Sequence, residues 1–182
     1  MAFLVRSGVK VSMSTRKATF YPLRALMEEI GVGALRFFYL LSSHNQTVDL
    51  DVDLAISQSR QNPVYYVQYA HARSVQLLQK APEDDNNADT TADYQEASEQ
   101  RLIDQLAAFP RVINRACEAQ APHMLTTYAR DIAACFHTFY NDVPILSAPE
   151  SERRARLNLV RAFQHVIRNT LCVLGIAPLD RM

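Results

Sequence analysis

The 182-residue chain is 48% hydrophobic and 21% charged, a balance that fits one soluble core with an appendage rather than two full domains. Its 19 Lys+Arg match 19 Asp+Glu, which argues against a uniformly basic nucleic-acid binder. With only 4 glycines, it also argues against a doubly wound α/β nucleotide enzyme, whose phosphate loops and tight turns consume that residue.

Met1 to Lys10 holds two basic residues but no sustained apolar stretch and no small-residue cleavage site, so no signal peptide is expected. No run approaches the roughly 20 apolar residues of a membrane span. Tyr21-Pro22 opens a short helix with Leu23, Leu26, Met27 and Ile30 on one face and Gly31 as its stop. Gly33 to Leu41 reads as a second, strongly apolar helix. In VDLDVDL, Val48, Leu50, Val52 and Leu54 alternate with Asp49, Asp51 and Asp53, the period of a strand. Three aspartates on one face are more simply a solvated face than a metal site, since no glycine-bearing calcium loop follows.

Between Ala81 and Gln100 lie seven acids and no base, so residues 82–97 read as a solvated linker. Without those seven acids, 12 remain against 19 bases, an excess that reopens nucleic-acid binding for the folded part. Beyond the linker, Leu102, Leu106 and Phe109 form a helical stripe that Pro110 ends or kinks. Leu125, Tyr128, Ile132, Cys135, Phe136 and Phe139 recur at three- and four-residue steps, as in a core-facing helix. Ser147-Ala-Pro-Glu150 has a capping-box pattern. The last helix carries Leu157, Val160, Phe163, Ile167, Leu171 and Leu174 and stops at Gly175. Cys117, Cys135 and Cys172 are odd in number and without a CxxC pair, which supports neither a disulfide framework nor a zinc site; buried thiols in a reducing compartment are expected. The fold class is therefore all-α, a helical bundle led in by a short irregular N-terminal arm.

Three passages carry more than pattern. They are Val11-Ser-Met-Ser-Thr-Arg16, then Val32-Gly-Ala-Leu-Arg36 with its apolar continuation, and then Asn62-Pro-Val-Tyr-Tyr-Val-Gln-Tyr-Ala-His-Ala-Arg73. In this order they resemble the C-terminal part of class I arginyl-tRNA synthetase. The first is similar to the Lys-Met-Ser-Lys-Ser ATP loop, the second to the Asp-Ala-Leu-Arg element, and the third to the start of the helical anticodon-binding domain. The ending, Val173 to Met182, is similar to that family's terminus. The resemblance implies that residues 1–61 are the end of a Rossmann catalytic domain and that 62–182 form the anticodon-binding bundle.

It also implies roles. Met13, Ser14, Thr15 and Arg16 would form an ATP-loop-like segment, with Ser12 and Thr15 standing where the signature has lysines. Tyr66, Tyr69 and Arg73, spaced three and four apart, would meet the anticodon loop, where unpaired bases are read by aromatic stacking and arginine planes. Spacing alone favours tyrosines packed in the core with bonded hydroxyls. Tyr140 and Met182 match further family positions near that loop. Gln68 and His71 lie in the same motif, His71 reading as a bonded core histidine, and Arg36 reads as an anchor of helix packing or of a salt bridge. Arg153, Arg154, Arg156 and Arg161 fit either phosphates or a solvated face.

The implied function is the tRNA-binding portion of an arginine–tRNA ligase. The parent reaction uses ATP with Mg; no cofactor and no metal are expected for this chain alone. The five histidines include no His-x-Gly-His pair, so activity by the chain alone is not expected, and a separate catalytic chain is an expected partner beside an arginine-accepting tRNA. No membrane or DNA partner and a cytoplasmic location are expected. A free-standing RNA-binding module, and a non-catalytic or decayed fragment acting as an interaction domain, are the competing readings.

Overall fold

The computed structural model describes residues 2–11, 13, 20–82 and 94–182. Strand β1 (Ala2–Arg6) turns through Ser7 and Gly8 into β2 (Val9–Lys10). Both turn residues have positive φ, 48° and 74°, which suits the right-handed twist of a tight hairpin. The Ser7 amide donates to Asp53 Oδ2 at 2.6 Å. Two helices follow, α1 (Leu23–Ile30) and α2 (Val32–Tyr39), separated by Gly31 at φ 82°, where a side chain would be strained. They carry the chain over to β3 (Val48–Asp51), which pairs in parallel with β1 in register Leu4↔Leu50. Such a crossover is what parallel pairing requires. Leu4 and Leu50 are both buried.

The N-terminal arm is therefore not irregular: it holds a three-stranded sheet of order β2-β1-β3. The sheet escapes a local reading because Ala2 finds its partner at Val48. The VDLDVDL stretch also departs from the expected strand. After Asp51 it becomes helix α3 (Val52–Ile56), with the Asp51 carboxylate accepting from the Leu54 amide at 2.9 Å, the N-cap role that favours aspartate. The three aspartates then do three different things: Asp49 pairs with Lys10 at 3.0 Å, Asp51 caps α3, and Asp53 holds the hairpin turn.

The bundle consists of α4 (Pro63–Gln79), α5 (Ala97–Ala107), α6 (Phe109–Glu118), α7 (His123–Asp142) and α8 (Glu150–Val173). Pro110 does break its stripe: α5 and α6 meet at Ala108, with Pro110 in the first turn of α6, where its missing N–H costs nothing. The core is the seam of α4, α7 and α8. Phe136 and Phe163 stack with centroids 4.0 Å apart and planes 5° apart, and Phe139, Ile132, Leu157, Ile167 and Leu171 are fully enclosed. Each such side chain contributes about 1.5–3 kcal/mol on leaving water. The expected capping box at Ser147 is absent, since Pro149 precedes α8 without a side-chain cap. The capping contact is found instead at α5, where Glu99 accepts from the Glu96 amide at 3.1 Å. Cys117 and Cys172 are exposed and Cys135 partly buried, against the expectation of buried thiols, because both exposed ones sit near helix ends. Among the described residues no helix is long and apolar enough to cross a membrane.

One charged pair lies inside. Arg156 Nε donates to Glu99 Oε1 at 2.7 Å, with side chains only 8% and 3% exposed. The pair is tolerated because its other groups are also satisfied: Glu99 Oε2 caps α5, and Arg156 Nη1 donates to the Pro144 carbonyl at 2.9 Å and pairs with Glu152 at 3.1 Å. Removing one partner strands the other in low dielectric, so Glu99→Ala is expected to lower stability by about 3–5 kcal/mol in urea unfolding. At the far end of α8, Gly175 has φ 68°, and an added Cβ would fall 2.0 Å from Arg36 Nη1. Gly175→Ala should therefore cost about 1–2 kcal/mol from the left-handed backbone alone, read in the same unfolding experiment.

Candidate nucleic-acid interface

The register of α4 is set at its first residue. Buried Asn62 accepts from the Val64 and Tyr65 amides at 3.2 and 3.4 Å. Its amide nitrogen donates back to the Ala55 and Ser57 carbonyls at 3.0 and 2.8 Å. Pro63 supplies a helical φ without an orphan donor. With the start fixed, Val64, Val67, Ala70, Ser74 and Leu77 turn into the core, and Tyr65, Tyr66, Tyr69 and Arg73 lie half-buried along the flank.

That flank meets α7. The Arg73 guanidinium carbon sits 3.7 Å from the Tyr140 ring centroid and 5.6 Å from that of Tyr69, held between the two rings by cation–π attraction. Tyr69 stacks in turn against Tyr65, centroids 6.2 Å apart and planes within 4°. Tyr69, Arg73 and Tyr140 line an open cleft of about 280 Å³ together with Gln76, Lys80, Leu146 and Met182. Four of the five residues expected to meet RNA are thus brought to one place from α4, α7 and the C-terminal tail.

The fifth, Tyr66, lies behind them. Its half-buried ring packs on the core and tilts against His137 with centroids 4.7 Å apart, and burial raises its phenol pKa.

The tail reaches the cleft because α4 holds it there. Gln68 Nε2 donates to the Ala177 carbonyl at 3.3 Å. His71, 2% exposed, lies 2.9 Å from the Leu179 carbonyl through Nδ1; since that carbonyl only accepts, Nδ1 carries the proton. His71 is thus the bonded core histidine expected of it. Arg36 likewise anchors: its Nη1 donates to the Gly175 carbonyl at 2.6 Å. Of the arginine set on α8, Arg156 is buried with Glu99, Arg154 pairs with Glu150 at 2.6 Å, and Arg161 donates to Asn158 at 2.8 Å, so the helix's own partners account for these groups. Of the ATP-loop-like segment, Met13 is exposed, while Ser14, Thr15 and Arg16 lie outside the described residues. Among the described residues no cluster of His, Cys, Asp and Glu could hold a metal ion.

Sequence reasoning missed His137. It sits three residues before Tyr140 on the same face of α7, with Tyr69 stacked on it at 5.6 Å and 25°, and its Nε2 is buried without a hydrogen-bond partner. Its spacing from Tyr140 could have shown it, had the aromatic reading been carried from α4 onto the facing helix. Burial pushes its pKa down to about 4; the Tyr66 backbone opposes the shift, and the guanidiniums of Arg73 and Arg60 add to it.

Comparison with known proteins gives the family and the fold. The DALR anticodon binding domain family matches residues 67–182. The chain is 42% identical over 187 residues to an arginine–tRNA ligase of Coxiella burnetii, covering 100% of this chain and 32% of that protein. It is 43% identical over 183 residues to the enzyme of Halorhodospira halophila, covering 96% and 31%. The chain thus spans about a third of the length of the curated relatives it matches. Among solved structures, arginyl-tRNA synthetase of Thermus thermophilus superposes with a TM-score of 0.75 at 31% identity, covering 91% of this chain and 29% of that one. A Campylobacter jejuni chain described as an arginyl tRNA synthetase gives 0.87 at 26%, covering 100% and 40%.

The depressed pKa of His137 has a consequence for stability. An unfolded histidine titrates near ~6.5, so between that pH and about 4 the unfolded chain binds a proton that the fold excludes. The imidazole's neutrality is compatible with the fold above the upper value, and stability falls as pH drops through the window. In urea unfolding from neutral to acid pH, His137→Phe is expected to flatten that decline.

Proposed function

The chain belongs to the DALR anticodon binding domain family, and from that premise we propose that it is the tRNA-binding, anticodon-recognising portion of an arginine–tRNA ligase. The observation that carries this reading is the convergence of Tyr69, Arg73, Tyr140 and Met182 on one cleft, from three segments far apart in sequence. Phenol rings at the cleft wall offer stacking to splayed bases, and a guanidinium offers both a flat face and a fork of donors. Lys80 at the rim adds a mobile cation for phosphate.

On this reading residues 62–182 form the RNA-binding body, and residues 1–61 join it to the part of the ligase in which ATP-dependent activation of arginine takes place, in the same polypeptide or in a separate chain. The contact of Arg36 with Gly175 supports that joint, since it fixes α2 to the end of α8. The ATP-loop role of Met13, Ser14, Thr15 and Arg16 belongs to the same proposal, with Mg-bound ATP as the ligand. A soluble, cytoplasmic setting follows from a partner such as tRNA.

Binding of an arginine-accepting tRNA, followed by fluorescence anisotropy against a non-cognate tRNA, tests the reading. Tighter binding of the cognate is expected. Tyr69→Ala should weaken it by the ~1–3 kcal/mol that one base–aromatic stack contributes. Arg73→Ala should weaken it too and lower the salt slope by about 1. Equal affinity of wild type and both variants would remove the reading.

A further inference from the structure

Tyr69 lines the cleft, and a ring that is to stack on a base there must be held in one plane by its neighbours. The tyrosine side chain turns about χ1 and χ2, and an unrestrained phenol at a half-exposed site samples several rotamers, which costs entropy when a base stacks on it. What stands behind Tyr69 is therefore part of the binding chemistry.

Two helices interleave there. From α4 come Tyr66, Tyr69 and Arg73, and from α7 come His137 and Tyr140. His137 lies in ring contact with both Tyr66, at 4.7 Å, and Tyr69, at 5.6 Å, and it also touches Phe136 at 6.0 Å, which is itself locked on Phe163. The imidazole thus transmits the rigidity of the Phe136–Phe163 core stack to Tyr69. Its location is an expensive one for a polar ring, because Nε2 is enclosed with no hydrogen-bond partner, and an orphaned buried nitrogen is a penalty that a purely apolar filler would avoid.

Resting on the RNA-binding reading above, we propose that His137 is a positioning residue for the cleft: its imidazole, wedged between Tyr66 and Tyr69, fixes the plane of Tyr69 for base stacking. Tyr66 then serves as the outer buttress of that wedge rather than as a contact to RNA. Around the imidazole, Tyr66 and Tyr69 face it from α4, Arg73 and Arg60 contribute positive charge, and Phe136 flanks it on α7. A neutral ring is what this surrounding admits, since burial disfavours an imidazolium and both guanidiniums would repel it.

The test uses the full chain and an arginine-accepting tRNA as the probe. His137→Leu keeps volume but removes the flat ring, and His137→Phe keeps the plane. His137→Leu is expected to weaken binding about tenfold, of the order of one lost stack, at a melting temperature no lower than that of wild type. His137→Phe should bind within about threefold of wild type. In a Tyr69→Ala background, His137→Leu should add less than about a twofold further loss, because the residue acts through Tyr69. Wild-type affinity of His137→Leu, failure of His137→Phe to restore binding, or an equal loss with and without Tyr69 overturns the proposal. If Tyr69→Ala and Arg73→Ala both bind as tightly as wild type, the RNA-binding reading falls and this one with it; if Tyr69→Ala alone does, this one falls. If Tyr69→Ala binds weakly while His137→Leu does not, only the positioning role falls.

Discussion

A charge removed from water must have every bonding site filled, and the Glu99–Arg156 pair meets that constraint by tying down three separate stretches of chain. One carboxylate oxygen starts α5 and the other meets the guanidinium on α8. The guanidinium then reaches across to Pro144, in the turn that ends α7. Because the carboxylate can satisfy only one arrangement of these donors, the end of α7 is fixed relative to α8, and Tyr140 and Leu146 on either side of that turn take defined places on the cleft wall. The apolar seam supplies most of the attraction, but it is tolerant of small slides. Hydrogen bonds to a buried charge are not.

Much of the helical architecture is legible in the sequence because helices write their burial locally. The stripe from Leu125 to Phe139 and that from Leu157 to Leu171 both become core faces, and Pro110 breaks α5 from α6 where the missing N–H requires it. The N-terminal sheet is not legible for the opposite reason: the pairing of Ala2 with Val48 is a long-range event, and five residues of β1 carry no sign of it. VDLDVDL shows how one periodicity can conceal two structures. Its first half alternates as a strand should, but Asp51 is a good N-cap, and the capping bond to Leu54 turns the second half into helix. The acidic pair at Glu96 and Glu99 went unread because the capping residue is itself a glutamate rather than the serine or threonine that usually marks the motif.

The candidate site was legible on α4 and at Tyr140 and Met182, where the resemblance supplied positions, and the structure then brings Tyr69, Arg73, Tyr140 and Met182 to one cleft. It could not be completed from sequence, because the role of His137 exists only when α4 and α7 face each other. The same limit applies to the arginines of α8. A cationic helix fits phosphates and a solvated face equally in one dimension, and only the fold shows that Arg156 is engaged by Glu99 and Arg154 by Glu150. The positive character of the cleft rests instead on Arg73, braced by tyrosine faces, with Lys80 at the rim.

The tail laid along α4 sets an order of assembly. The His71–Leu179 contact joins residues 108 apart in sequence, and the Arg36–Gly175 contact joins residues 139 apart. Closing loops of that length is entropically slow and brings no reward until α4, α7 and α8 already form a surface for the tail to dock on. Helix content should consequently appear early during refolding, and a competent cleft only at the end. The cleft wall that Met182 helps to form is therefore completed after the helices that carry Tyr69, Arg73 and Tyr140.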